Sequence, residues 1–107
     1  MQKKAFLMRL KPDVAAEYER RHNPIPKELA AELRKHGVGS YSIFLDPERL
    51  LLFAYIEFES EERLAGVART DACQRWWHYM APLMHTNPDA SPEQTQIRQV
   101  FDLARQP

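Results

Sequence analysis

Apolar and polar positions follow two periods along the chain, one of two residues and one close to four. Near the N-terminus Phe6, Met8 and Leu10 alternate with Leu7 and Arg9, the pattern of a short strand. Lys11-Pro12-Asp13 then predicts a helix start, because proline suits the first turn and Asp13 and Glu17 sit near the positive end of the dipole. That helix should run to about His22, since Asn23 precedes Pro24 and a residue before proline avoids helical backbone. A second helix is expected from about Pro26 to His36. Leu29 and Leu33 share one of its faces, and Gly37 suits the residue just past its end.

The two-residue period returns at Tyr41, Ile43 and Leu45, which alternate with Ser42 and Phe44. Asp46-Pro47-Glu48-Arg49 predicts a turn, and Leu50 to Glu59 the second strand of a hairpin. Ser60 followed by Glu61 and Glu62 has the character of a helix N-cap, and Leu64, Val67 and Ala68 keep helical spacing. Asp71 is expected to cap a further helix from Ala72 to about Met80, after which Pro82 discourages continuation. Asn87 to Pro92 reads as a polar loop. Ile97, Phe101 and Leu103 read as a last strand. The order β, α(α), β, β, α(α), β is the split βαβ, ferredoxin-like α+β arrangement. No repeat or linker interrupts it, so residues 1–107 read as a single domain.

One strand carries a prediction about assembly. Leu50, Leu52, Ala54, Ile56 and Phe58 lie on one face of the 50–59 segment. Leu51, Phe53, Tyr55, Glu57 and Glu59 lie on the other. Helices in this architecture cover one sheet face only, which leaves an apolar patch on the second. A homodimer packing these faces together is expected, with cover by a loop or by the C-terminal tail as the alternative.

Composition narrows the function. The chain has 107 residues, with 15 Lys plus Arg against 15 Asp plus Glu. Without basic excess there is little to neutralise a phosphate backbone, so no nucleic-acid partner is expected. Arg9 and Lys11 break the N-terminal apolar run, and Leu50 to Ile56 is too short to cross a bilayer, so no membrane partner is expected either. The one cysteine, Cys73, cannot form an internal disulfide, and a cytoplasmic location follows as the expectation.

Candidate chemistry is sparse. His22, His36, His78 and His85 show no metal-ligand spacing, so no metal is expected. Cys73 near a helix start could have a lowered pKa, although a small buried side chain is the plainer reading. Tyr18 and His22, four apart, lie on one helix face together with Val14. In the last turn the dipole favours the imidazolium, which suits a proton donor near neutral pH; a histidine that merely caps backbone carbonyls is the other reading. Trp76 and Trp77 point about 100° apart, so one is expected to anchor the core and the other to line a cleft. A tryptophan face matches the apolar face of a sugar ring.

Taken together, Arg20-Arg21-His22-Asn23-Pro24-Ile25, Tyr41-Ser42-Ile43-Phe44-Leu45-Asp46, Glu59-Ser60-Glu61-Glu62-Arg63, Thr70 through Cys73-Gln74-Arg75-Trp76-Trp77, and Asn87-Pro88-Asp89 resemble the L-rhamnose mutarotase family from first strand to last. The resemblance implies a dimeric α+β barrel of ferredoxin-like subunits. It implies interconversion of the α and β anomers of L-rhamnose without cofactor or metal. It places the proton-donor histidine at His22, and the sugar-contacting residues at Tyr18, Tyr41, Trp76 and Trp77. One departure lies nearby: the family commonly follows Asn-Pro-Ile with an aromatic residue and proline, where this chain has Pro26 and Lys27. A cofactor-free monooxygenase, a lactone isomerase or a haem protein ligated by His22 would be alternatives on the same barrel.

Overall fold

The computed structural model describes all 107 residues. Strand β1 (Gln2–Arg9) leads to helices α1 (Ala15–Arg21) and α2 (Lys27–Lys35). The hairpin β2 (Val38–Asp46) and β3 (Leu51–Phe58) follows, then α3 (Glu61–Ala65), α4 (Asp71–Met80) and the short β4 (Thr95–Ile97). The sheet order is β2-β3-β1-β4, with every neighbouring pair antiparallel. This is the ferredoxin-like α+β arrangement that the element order predicts.

The sheet's two faces differ as the alternation requires. Phe6, Met8, Leu52, Ala54, Ile56 and Phe58 are buried, and they pack with Tyr18 of α1 and Met80 of α4 into the main core. A smaller cluster of Leu29, Val67 and Cys73 lies beneath α2, and Leu64 and Trp76 pack against both clusters. On the opposite face the register sets Phe44 beside Phe53, and Phe53 beside Leu7. Phe44 is 66% exposed and Phe53 40%.

Local signals held at several ends and failed at others. Ser60 caps α3, its hydroxyl accepting from the Arg63 N–H, and Gly37 ends α2 with φ +88°. Its positive φ favours glycine, whereas the Glu59 carboxylate that a Cβ would meet at 2.7 Å is the end of a flexible side chain and could move aside. The first helix begins later than expected: Asp13 adopts φ 65° in a turn, and α1 starts at Ala15 without a side-chain cap. Leu50 also has positive φ, 55°, and belongs to the turn, so β3 begins at Leu51. Thr70, not Asp71, caps α4, accepting from the Cys73 N–H at 3.2 Å. The last strand is only Thr95–Ile97, because its pairing with β1 stops at Ala5. Phe101 and Leu103 lie beyond it and are exposed.

Candidate functional site

Helix α1 sets Tyr18 and His22 one turn apart, and the Tyr18 ring lies against the His22 ring with centroids 4.3 Å apart. Helix α4 brings Trp76 edge-on to His22, at 5.0 Å and 86°. Tyr41 rises from β2, edge-on to Phe6 at 6.4 Å. These residues and Trp77 border one cavity of about 750 Å³ between the helices and the sheet. Its walls are mostly apolar, with Ile25, Leu29, Leu33 and Ile56 among them. All five residues proposed from sequence therefore meet in one place.

The two tryptophans depart from expectation. Both are half-buried and both line the cavity, so neither serves purely as a core anchor. Pro26 and Lys27, the departure noted above, are exposed and lie outside the cavity, whose wall at that point is Ile25. Sequence reasoning did not single out Glu19, Asn23, Thr86 or Gln94, which also border the cavity. Asn23 stands inside the Arg-Arg-His-Asn-Pro block, whereas Thr86 and Gln94 flank a loop with no periodicity to mark them.

The electrostatics revise the expected state of His22. Its Nδ1–H donates to the Tyr18 carbonyl at 2.8 Å. A carbonyl only accepts, so Nδ1 carries a proton and Nε2, which has no protein partner, is left for a bound molecule. Burial pulls the His22 pKa below its ordinary 6.5, and this outweighs the opposing contribution of the carbonyl. The imidazolium anticipated from the helix dipole is therefore not the resting form; the neutral ring is. The carbonyl-capping contact of His22 is present, and it fixes the tautomer that frees the other nitrogen.

The neighbouring groups stay neutral. Burial raises the Tyr18 phenol above the usual tyrosine range, and pushes Tyr41 up to about 12. Tyr41 keeps 40% of its surface open because it stands in a concave cavity, where water reaches the ring although protein surrounds it. Burial also pushes the Cys73 thiol up to about 11, which removes it as a nucleophile. No three His, Cys, Asp or Glu side chains gather in a way that could hold a metal ion.

A four-stranded antiparallel sheet, helices on one face, and an aromatic cavity around one histidine define a ferredoxin-like α+β protein with a small-molecule site. The L-rhamnose mutarotase family model matches residues 3–103. The L-rhamnose mutarotase of Escherichia coli O8 (strain IAI1) is 55% identical over 103 residues, covering 96% of this chain and 99% of that protein. The protein of the same description in Escherichia coli K12 is 54% identical over the same share of each chain. A solved L-rhamnose mutarotase from Formosa agariphila superposes with a TM-score of 0.88 at 33% identity, over 96% of this chain and 99% of that one. An antibiotic biosynthesis monooxygenase structure, 14% identical with a TM-score of 0.62 over 94% of this chain and all of its own, shares the fold alone. The chain belongs to the L-rhamnose mutarotase family.

Proposed function

We propose that this protein interconverts the α and β anomers of L-rhamnose, with His22 as its acid–base residue. The observation that carries the role of His22 is its free Nε2, held in the cavity between Tyr18 and Trp76 by the Nδ1–H bond to the Tyr18 carbonyl.

Anomer exchange opens a hemiacetal, turns the aldehyde and closes it again. In the resting neutral ring the Nε2 lone pair takes the proton from the anomeric hydroxyl. The C1–O bond to the ring oxygen breaks as the hydroxyl oxygen becomes carbonyl. The imidazolium then returns its proton to the departing ring oxygen, so protons and electrons balance. Both oxygens are bonded to the anomeric carbon, so one nitrogen can serve them in turn. His22 is thus base before it is donor. Tyr18 and Tyr41 act as neutral hydroxyls that hydrogen-bond the sugar. Trp76 and Trp77 bind its apolar faces, a recognition that needs no charge. The chain performs this as a single domain over residues 1–107, without cofactor or metal.

We also infer a cytoplasmic homodimer. No helix is long and apolar enough to cross a membrane, and the lone Cys73 is buried and unpaired. The sheet face bearing Phe44 and Phe53 supports the pairing of two copies.

The test is the exchange rate between the anomeric proton signals of L-rhamnose, measured by NMR with and without protein. Wild type accelerates exchange, and folded His22→Ala loses most of the gain, roughly 10²- to 10⁴-fold. Absence of acceleration by wild type would overturn the activity, and full activity in His22→Ala would overturn the role of His22.

A further inference from the structure

We propose that Arg21 is a positioning residue for this reaction: it clamps the end of α1 to the end of α4 and thereby holds His22 and Trp76 in register. The inference rests on the role of His22 given above. Arg21 is 17% exposed and makes three contacts at once. Its Nε donates to a Glu17 carboxylate oxygen at 2.7 Å, and its Nη1 donates to the Tyr79 carbonyl at 2.6 Å. Its guanidinium also lies over the Tyr79 ring, 4.0 Å from the centroid. Tyr79 in turn packs on Trp76, with ring centroids 6.0 Å apart, and Trp76 meets His22.

This chain of contacts crosses the seam between the two helices that supply the acid–base residue and the tryptophans. Arg20 also reaches Tyr79, so both arginines at the end of α1 face that end of α4, and Arg21 alone bonds the Tyr79 carbonyl. His22 immediately follows the last residue of α1, and its ring has only the Tyr18 carbonyl as a polar partner. Its distance from Trp76 is therefore set by how α1 sits on α4. Only arginine fits the task, because a planar fork can bond a carboxylate and a carbonyl while its face stacks on a ring. Lysine, a point charge, would have to choose.

The anchor does not titrate in the working range. Arg20 and Arg21 hold the Glu17 carboxyl down to about 2, so the carboxylate keeps its charge while His22 changes its own. The other titratable groups bordering the cavity are Tyr18 and Glu19 on α1, Lys4 on β1, Tyr41 on β2 and Cys73 on α4. Arg20 provides a graded comparison. It bonds the same carboxylate and also reaches Tyr79, but it is 66% exposed and makes no bond to the Tyr79 carbonyl.

The experiment compares Arg21→Gln, Arg21→Lys and Arg20→Gln, following NMR anomer exchange against pH and L-rhamnose concentration. Arg21→Gln is expected to lower kcat/KM by up to roughly 100-fold, the scale of a misplacement of about 1 Å. It should also move the acid limb of the profile up toward ordinary histidine, as water reaches a loosened His22 ring. Arg21→Lys should fall between, and Arg20→Gln, which leaves the buried bond to the Tyr79 carbonyl in place, should cost clearly less than Arg21→Gln. A merely structural role would lower the melting temperature while leaving the acid limb of the folded fraction in place, and that result overturns the proposal. So does an Arg21→Gln profile equal to that of Arg20→Gln. If Arg21→Gln does not fold, Tyr79→Leu carries the same test, since it removes the ring beneath the guanidinium but keeps the backbone carbonyl. Loss of activity in His22→Ala alongside an unaltered Arg21→Gln would defeat this inference alone; an active His22→Ala would defeat the reading beneath it.

Discussion

At the scale of single residues, the site turns on which nitrogen of His22 holds the proton. The i,i+4 spacing from Tyr18 was visible in the sequence, but the protonation state was not. A helix C-terminus favours the cation, burial opposes it, and only the packing of Tyr18 and Trp76 around the ring shows that burial wins. The pH dependence follows with a definite sign. Activity should stay level above pH 6.5 and fall as acid titrates His22 through its lowered pKa, because the charged ring has lost the lone pair on which the proposed reaction depends. Stability moves the same way. The unfolded chain takes up this proton at the ordinary value, so the contribution of the buried neutral ring is complete above about pH 6.5 and is lost on acidification. A rate–pH profile, with thermal melts across the same range, checks both. An acid limb at or above 6.5 would contradict the buried neutral histidine.

At the scale of elements, caps and turns were legible where one residue alone decides the local backbone, and obscure where two residues compete. Ser60 and Gly37 belong to the first kind. Thr70 and Asp71 belong to the second: both are good capping residues, and their adjacency hides which one stands outside the helix. In the structure Thr70 has extended backbone, with ψ 148°. Its hydroxyl donates to the Val67 carbonyl as well as accepting from the Cys73 N–H, while Asp71 sits in the first turn. Thr70→Ala should therefore cost about 1 kcal/mol of stability, and Asp71→Ala only a few tenths, as read from denaturant midpoints. Equal costs would mean the cap is shared. Pro12-Asp13 misled for a related reason. The pair suits a helix start and a turn equally, and Asp tolerates the left-handed conformation found here at φ 65°.

At the scale of the whole molecule, one chain is more open than its mass requires. Its accessible surface is 7445 Å², against roughly 6,200 Å² for a compact monomer of this size. Its radius of gyration is 14.4 Å, against about 13 Å. The excess has a location: the open sheet face with Phe44 and Phe53, and the C-terminal tail with Val100, Phe101 and Leu103. The tail is tied to β1 by the Lys3–Asp102 ion pair at 3.0 Å, yet these side chains point into solvent. Sedimentation should accordingly find a dimer, and Phe53→Asp should release monomers that keep the far-ultraviolet circular dichroism of the fold. A wild-type monomer at micromolar concentration would remove the dimer.

Element order, strand alternation, the Tyr18–His22 pair and the family blocks were all present in the linear sequence, because each depends on neighbours a few residues apart or on composition. The meeting of α1 with α4, the shared cavity of both tryptophans, the truncation of the last strand and the neutral state of His22 were not. Each depends on contacts between residues far apart in the chain, such as Arg21 with Tyr79 and His22 with Trp76. Spacing along one helix can show which side chains share a face. How deeply that face is buried, and hence where a proton rests, depends on what the rest of the chain packs against it.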